Sequence, residues 1–139
     1  MIGNPPSNFT FLQQDNKDII VDVIDGDTSG LPTTYSAIRK TLLLSDGSKI
    51  FVTERLEKNK IDYYHYDWVT ASNQPILKFH SESHEHEDYQ TATEPYHIHI
   101  PDPLNVGGNI RIANFHHKEL QAILSMIRLY MLASQVKKE

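Results

Sequence analysis

Ser45-Asp46-Gly47-Ser48-Lys49-Ile50-Phe51-Val52-Thr53-Glu54-Arg55-Leu56-Glu57-Lys58-Asn59-Lys60-Ile61-Asp62-Tyr63-Tyr64-His65-Tyr66-Asp67-Trp68-Val69-Thr70 is the stretch that decides the fold. Its first four residues tolerate positive φ and suit a tight hairpin turn. Residues 49–56 and 61–70 are rich in β-branched and aromatic side chains, and the polar Glu57-Lys58-Asn59-Lys60 turns the chain between them. Two hairpins in series make an antiparallel meander. Because a strand repeats every two residues, Tyr64, Tyr66 and Trp68 share one face, while Tyr63, His65, Asp67 and Val69 share the other.

The pattern extends in both directions. Residues 35–44 form the strand before the first turn, and 18–24 an earlier one that Gly26-Asp27-Thr28-Ser29-Gly30-Leu31-Pro32 stops. Downstream, Ser72-Asn73-Gln74 turns the chain into a strand at 75–80, and residues 96–100 form a short returning strand closed by Pro101-Asp102-Pro103. The period then changes. From Asn114, which reads as an N-cap, Leu120, Ile123, Leu124, Ile127 and Met131 recur at helical spacing, and no Gly or Pro interrupts them. The expectation is an α+β fold: an antiparallel sheet of four to six strands between about residues 18 and 100, with a long amphipathic helix over 115–135 across one face. Residues 1–17, polar and rich in Pro and Asn, read as a loosely ordered lead-in to a single domain at 18–139.

With 139 residues the chain can bury a real core. It has no cysteine, which excludes disulfides, thiolate zinc sites and a cysteine nucleophile, so any metal must be held by His, Asp or Glu. The net charge of −5 argues against broad attraction to nucleic-acid phosphates, though not against a local basic groove. The start, Met1-Ile2-Gly3-Asn4-Pro5-Pro6, lacks a basic region followed by an apolar one, and no segment reaches the roughly 20 apolar residues that span a bilayer. The expected address is cytoplasmic, with no membrane partner.

Five of the eight histidines, His80, His84, His86, His97 and His99, fall within twenty residues, among the acids Glu82, Glu85, Glu87 and Asp88. Imidazole titrates nearest neutral pH and is the commonest metal ligand, so chemistry is expected here. A solvated loop is the plain alternative. His80 and His84 read as loop residues, and His65, His116 and His117 are assigned no role.

The Ser45–Ser48 turn, the acidic strand residue Glu54, the series Tyr64-x-Tyr66-x-Trp68, a hydrophobic strand, then His86 and Pro95-Tyr96-His97-Ile98-His99 together resemble the TumE-like family of toxin-antitoxin proteins over roughly residues 35–100. The resemblance implies a small toxin acting on RNA or translation and neutralised by a cognate antitoxin, for which a helix-turn-helix protein is one form. It marks Glu54, Tyr64, Tyr66, Trp68, His86, His97 and His99.

At those positions three readings stay open. Metal-independent RNA cleavage needs a base for the ribose 2′-hydroxyl and an acid for the leaving 5′-oxygen; His97 and His99 could fill these roles with His86 coming over and Glu54 orienting an imidazole, and this reading needs no cofactor. Tyr64, Tyr66 and Trp68 would stack on bases if they face the open side of the sheet, and would pack beneath the helix if they do not. In the second reading His86, His97 and His99 hold zinc or another divalent ion. In the third the chain is a catalytically silent protein that binds a partner, or a second copy of itself as a homodimer, through its helix and sheet edge. Glu54 stands out regardless, because its parity sets it with Ile50, Val52 and Leu56, and a carboxylate on an apolar face requires a partner or a function.

Overall fold

The two polar turns reverse the chain as their residues dictate. Gly47 has φ +89°, and Asp46 Oδ1 accepts hydrogen bonds from both Ser48 N and Ser48 Oγ across the turn. At the second turn Lys58 (φ 52°) and Asn59 (φ 63°) are both left-handed, as a two-residue hairpin loop whose twist matches its strands demands.

The computed structural model describes residues 1–82 and 90–138. Its elements in chain order are helix α1 (Phe9–Asp15), strands β1 (Ile20–Asp25), β2 (Ala37–Leu44), β3 (Lys49–Glu57), β4 (Lys60–Val69), β5 (Pro75–His80), β6 (His97–Pro101) and β7 (Asn109–Ala113), and helix α2 (Leu120–Lys138). The strands form one seven-stranded sheet in sequence order, each pairing antiparallel with the next. The α+β meander is therefore as expected, with one strand more than the upper count. That strand is β7, where Ile110, Arg111 and Ile112 alternate in character directly after Gly107-Gly108.

The sheet is two-faced. Leu42, Ile50, Val52, Tyr64, Tyr66, Trp68, Phe79 and Ile98 point to one side, where they bury against Leu120, Ile123, Leu124, Ile127 and Met131 of α2. At about 25 cal/mol per Å² this apolar burial is the main force holding helix to sheet. The helix begins at Leu120 and not near 115. Asn114 caps an earlier turn instead: its Oδ1 accepts from His117 N and its Nδ2 donates to His117 O.

The first seventeen residues are not a loose lead-in. Backbone bonds from Ile2 and Gly3 to Asp62 and Ile61, and from Ile61 to Asn4, run this segment along the start of β4. Asn8 then caps α1 by accepting from Phe11 N, and Leu12 enters the core. Asn16 is fully buried, donating to Leu12 O and Gln121 Oε1 and accepting from Arg128 Nη2, so it ties α1 to α2. Among the described residues no helix is long and apolar enough to cross a membrane.

Candidate histidine centre on the uncovered sheet face

Register carries the site. Across β3 to β7 the residues Thr53, His65, His80, His97 and Ala113 stand opposite one another in a row, and Phe51, Asp67, Lys78, His99 and Arg111 form the row beside it. Both rows have the parity opposite to Tyr64, Tyr66 and Trp68, so they project from the face that α2 does not cover. Strands lie about 4.8 Å apart, and neighbouring side chains in such rows must touch. The imidazole centroids of His80 and His99 are 4.8 Å apart, those of His97 and His99 4.9 Å, those of His80 and His97 5.8 Å, and those of His65 and His80 4.2 Å.

Each ring of the central three is oriented by an oxygen. His80 Nε2 lies 2.9 Å from Asp67 Oδ1, His97 Nδ1 lies 3.0 Å from the Pro95 carbonyl, and His99 Nδ1 lies 2.9 Å from Asn109 Oδ1. A neutral imidazole donating to each of these oxygens carries its lone pair on the other ring nitrogen. Arg111 Nη2 donates to Glu94 Oε1 at 2.8 Å and also reaches His97 Nδ1 at 2.9 Å, so Nδ1 faces both a donor, Arg111, and an acceptor, the Pro95 carbonyl. Arg111 Nε and Nη1 are buried without a hydrogen-bond partner among the described residues. His65 is hydrogen-bonded to Glu82 at the edge of the group.

Burial sets the charge state. It pushes His97 down to about 4, with His99 and His80 adding to the effect and the Pro95 carbonyl opposing it. Burial also lowers His80, against the pull of Asp67. Both rings are therefore neutral near pH 7, the form that accepts a proton or ligates a metal. One ligand nitrogen from each of His80, His97 and His99 lies within 4.8 Å of the others.

The structure brings together His97 and His99 but not the whole expected set. His86 and His84 lie outside the described residues. Glu54 sits on the opposite, helix-covered face, fully buried, where Oε1 accepts from Ser7 N at 3.0 Å and Oε2 accepts from Ser7 Oγ and Tyr66 OH. It does not reach the imidazoles. Tyr64, Tyr66 and Trp68 pack beneath α2 with 1%, 2% and 4% exposure, so their rings do not offer bases a stacking surface. Their polar tips are satisfied internally: Tyr64 OH donates to Lys118 O, Tyr66 OH to Glu54, and Trp68 Nε1 to Ser48 Oγ. His116 and His117 belong to the turn before α2, away from the centre; His117 faces Phe79 on the core side.

Sequence reasoning missed His80, read as a loop residue, and with it Asp67, His65 and Arg111. The signal for two of them was present. His65 and Asp67 share the parity opposite to the aromatic series, and pairing β4 with β5 sets His80 against His65 and Lys78 against Asp67.

A sheet with one apolar face covered by α2 and an opposite face bearing grouped imidazoles defines a small α+β protein with a histidine centre on one side. The family model described as Toxin TumE matches residues 8–129, most of the chain, and the protein belongs to that family. It is thus the toxin of a toxin-antitoxin pair, and the family implies a cognate antitoxin. No curated protein and no solved structure matches the chain.

Proposed function

We propose that this toxin acts on RNA and cleaves its phosphodiester backbone at the histidine centre. The observation that carries the reading is the convergence of His80, His97 and His99 on one face, beside the cations Lys78 and Arg111. Cleavage by the 2′-hydroxyl requires that its proton be removed as the oxygen attacks phosphorus, that the added negative charge be stabilised, and that the departing 5′-oxygen gain a proton. Imidazoles supply the proton transfer, either themselves or through an ion they hold, and Lys78 supplies positive charge for the phosphate. Asp67 takes the orienting part that the sequence suggested for Glu54. His86, which lies outside the described residues, is part of the proposed set on the family resemblance. The antitoxin, a helix-turn-helix protein or another fold, acts by denying RNA this face.

The test is production of the chain without its antitoxin, followed by sequencing of cellular RNA ends. Growth arrest with new RNA ends is expected, and His99→Ala or His80→Ala should reduce cleavage about 10²- to 10⁴-fold with the circular dichroism spectrum unchanged. Arrest without RNA cleavage, or cleavage equal in both folded variants, overturns the reading.

A further inference from the structure

We infer that His80, His97 and His99 form a binding site for one divalent cation of the borderline class, with zinc the physiological choice. Three features converge on it. First, the ligand nitrogens lie within 4.8 Å of one another, whereas tetrahedral zinc at about 2.0–2.1 Å from each nitrogen needs them roughly 3.4 Å apart, a gap that small side-chain rotations close. Second, one nitrogen of each ring lies within hydrogen-bond distance of an oxygen, a carboxylate for His80, a backbone carbonyl for His97 and an amide for His99. Oxygens of this kind form the outer shell of ligating histidines and orient their rings. Third, the ligands stand on paired strands: His97 and His99 are alternate residues of β6, and His80 of β5 is the cross-strand partner of His97. A site on paired strands is preorganised, so binding does not carry the ordering cost of a loop site.

The donor set names the cation. Among the described residues the group is three imidazole nitrogens with no thiolate and no carboxylate, which favours zinc, cobalt, nickel or copper over magnesium and calcium, which take oxygen ligands. Two cations stand near the ligands among the described residues: Arg111, which Glu94 meets at 2.8 Å, and Lys78, the cross-strand partner of His99. Three protein ligands, the number present among the described residues, is the ligand count of catalytic rather than structural zinc. An ion held by these histidines would lower the pKa of bound water and so supply a base for the ribose 2′-hydroxyl near neutral pH. This use of the ion rests on the RNA reading above; its binding does not.

The experiment titrates Zn²⁺ into the chelator-treated full chain by calorimetry, and Co²⁺ in parallel by visible absorption. One equivalent is expected, with the intense cobalt bands of a four-coordinate site. His99→Ala should weaken binding by at least about 100-fold, and Asp67→Asn, which keeps the side-chain shape, by about 10- to 100-fold, while His116→Ala leaves it unchanged. Absence of stoichiometric binding, or equal binding by folded His99→Ala, overturns the site. RNA cleavage that survives chelation also overturns the ion's catalytic use while leaving the RNA reading standing. Stoichiometric zinc with no RNA cleavage supports the site and sinks the RNA reading.

Discussion

Replacing Glu54 separates folding from chemistry. Its carboxylate is fully buried and accepts three hydrogen bonds, one from the Ser7 backbone, one from the Ser7 hydroxyl and one from Tyr66. Hydrogen bonds to a charged group contribute about 1.5–3 kcal/mol each, but they act here as a unit and do not sum. Glu54→Ala removes all three, leaves the Ser7 N–H and the Tyr66 hydroxyl without an acceptor, and opens a cavity. The expected loss is about 3–5 kcal/mol, the size seen when one member of a buried charged network is deleted. For a domain of this length that lowers Tm by about 10–20 °C. Glu54→Gln keeps the volume and one acceptor, and the two hydroxyls can rotate to receive the amide, so its cost is about 1–2 kcal/mol. Urea denaturation of Glu54→Ala, Ser7→Ala and the double variant closes a cycle with a coupling of about 1–3 kcal/mol. Toxicity per folded molecule should be unchanged. Full stability with toxicity lost would place Glu54 in the chemistry and refute the separation of the two faces.

Trp68→Ala removes a 4%-exposed indole that packs edge-on against Tyr130 and donates to Ser48, and is expected to cost about 3–5 kcal/mol in thermal or urea unfolding without altering zinc affinity. Asp27 gives a pH signature. Burial raises its carboxyl, but donation from the Ser29 and Thr53 hydroxyls and the Ser29 N–H, with the nearby Arg39, outweighs this and holds it below the usual aspartate value. A carboxylate lowered on folding stabilises the protein above about pH 3.8, and that contribution is lost as pH falls through the folded value. Urea midpoints measured at pH 7 and pH 3 should therefore differ less for Asp27→Asn than for the parent chain; an equal difference would show that Asp27 contributes nothing.

Much of the sheet is legible in local chemistry. Asp46-Gly47 and Lys58-Asn59 force reversals, and alternation along β4 sorts the aromatic series from His65 and Asp67. Parity, however, says which residues share a face and not which face receives the helix, so the ambiguity of Tyr64, Tyr66 and Trp68 was settled only by the docking of α2. Counting also fails across irregularities. The register shifts between Trp68 and Val69, where β4 meets β5, and that slip determines which residue faces His65. Glu54 was rightly seen as a buried carboxylate in need of a partner, but its partner Ser7 stands 47 residues away, beyond any local pattern. Helix α1 is short, and its one clear signal is the Asn8 cap.

The order of assembly has a biological consequence. Strand follows strand in the sheet as in the chain, so each pairing can form as soon as its second strand emerges from the ribosome, the longest connection being residues 81–96 between β5 and β6. The cover for Leu42, Ile50, Val52 and Phe79 comes after all seven strands, in Leu120, Ile123, Leu124, Ile127 and Met131. All three central histidines are therefore synthesised before the hydrophobic contacts that stabilise their strands exist. A translation product broken off before α2 carries those imidazoles on an uncovered sheet, prone to aggregation and proteolysis. Harm to the cell then follows the number of finished molecules and not the number of initiated ones.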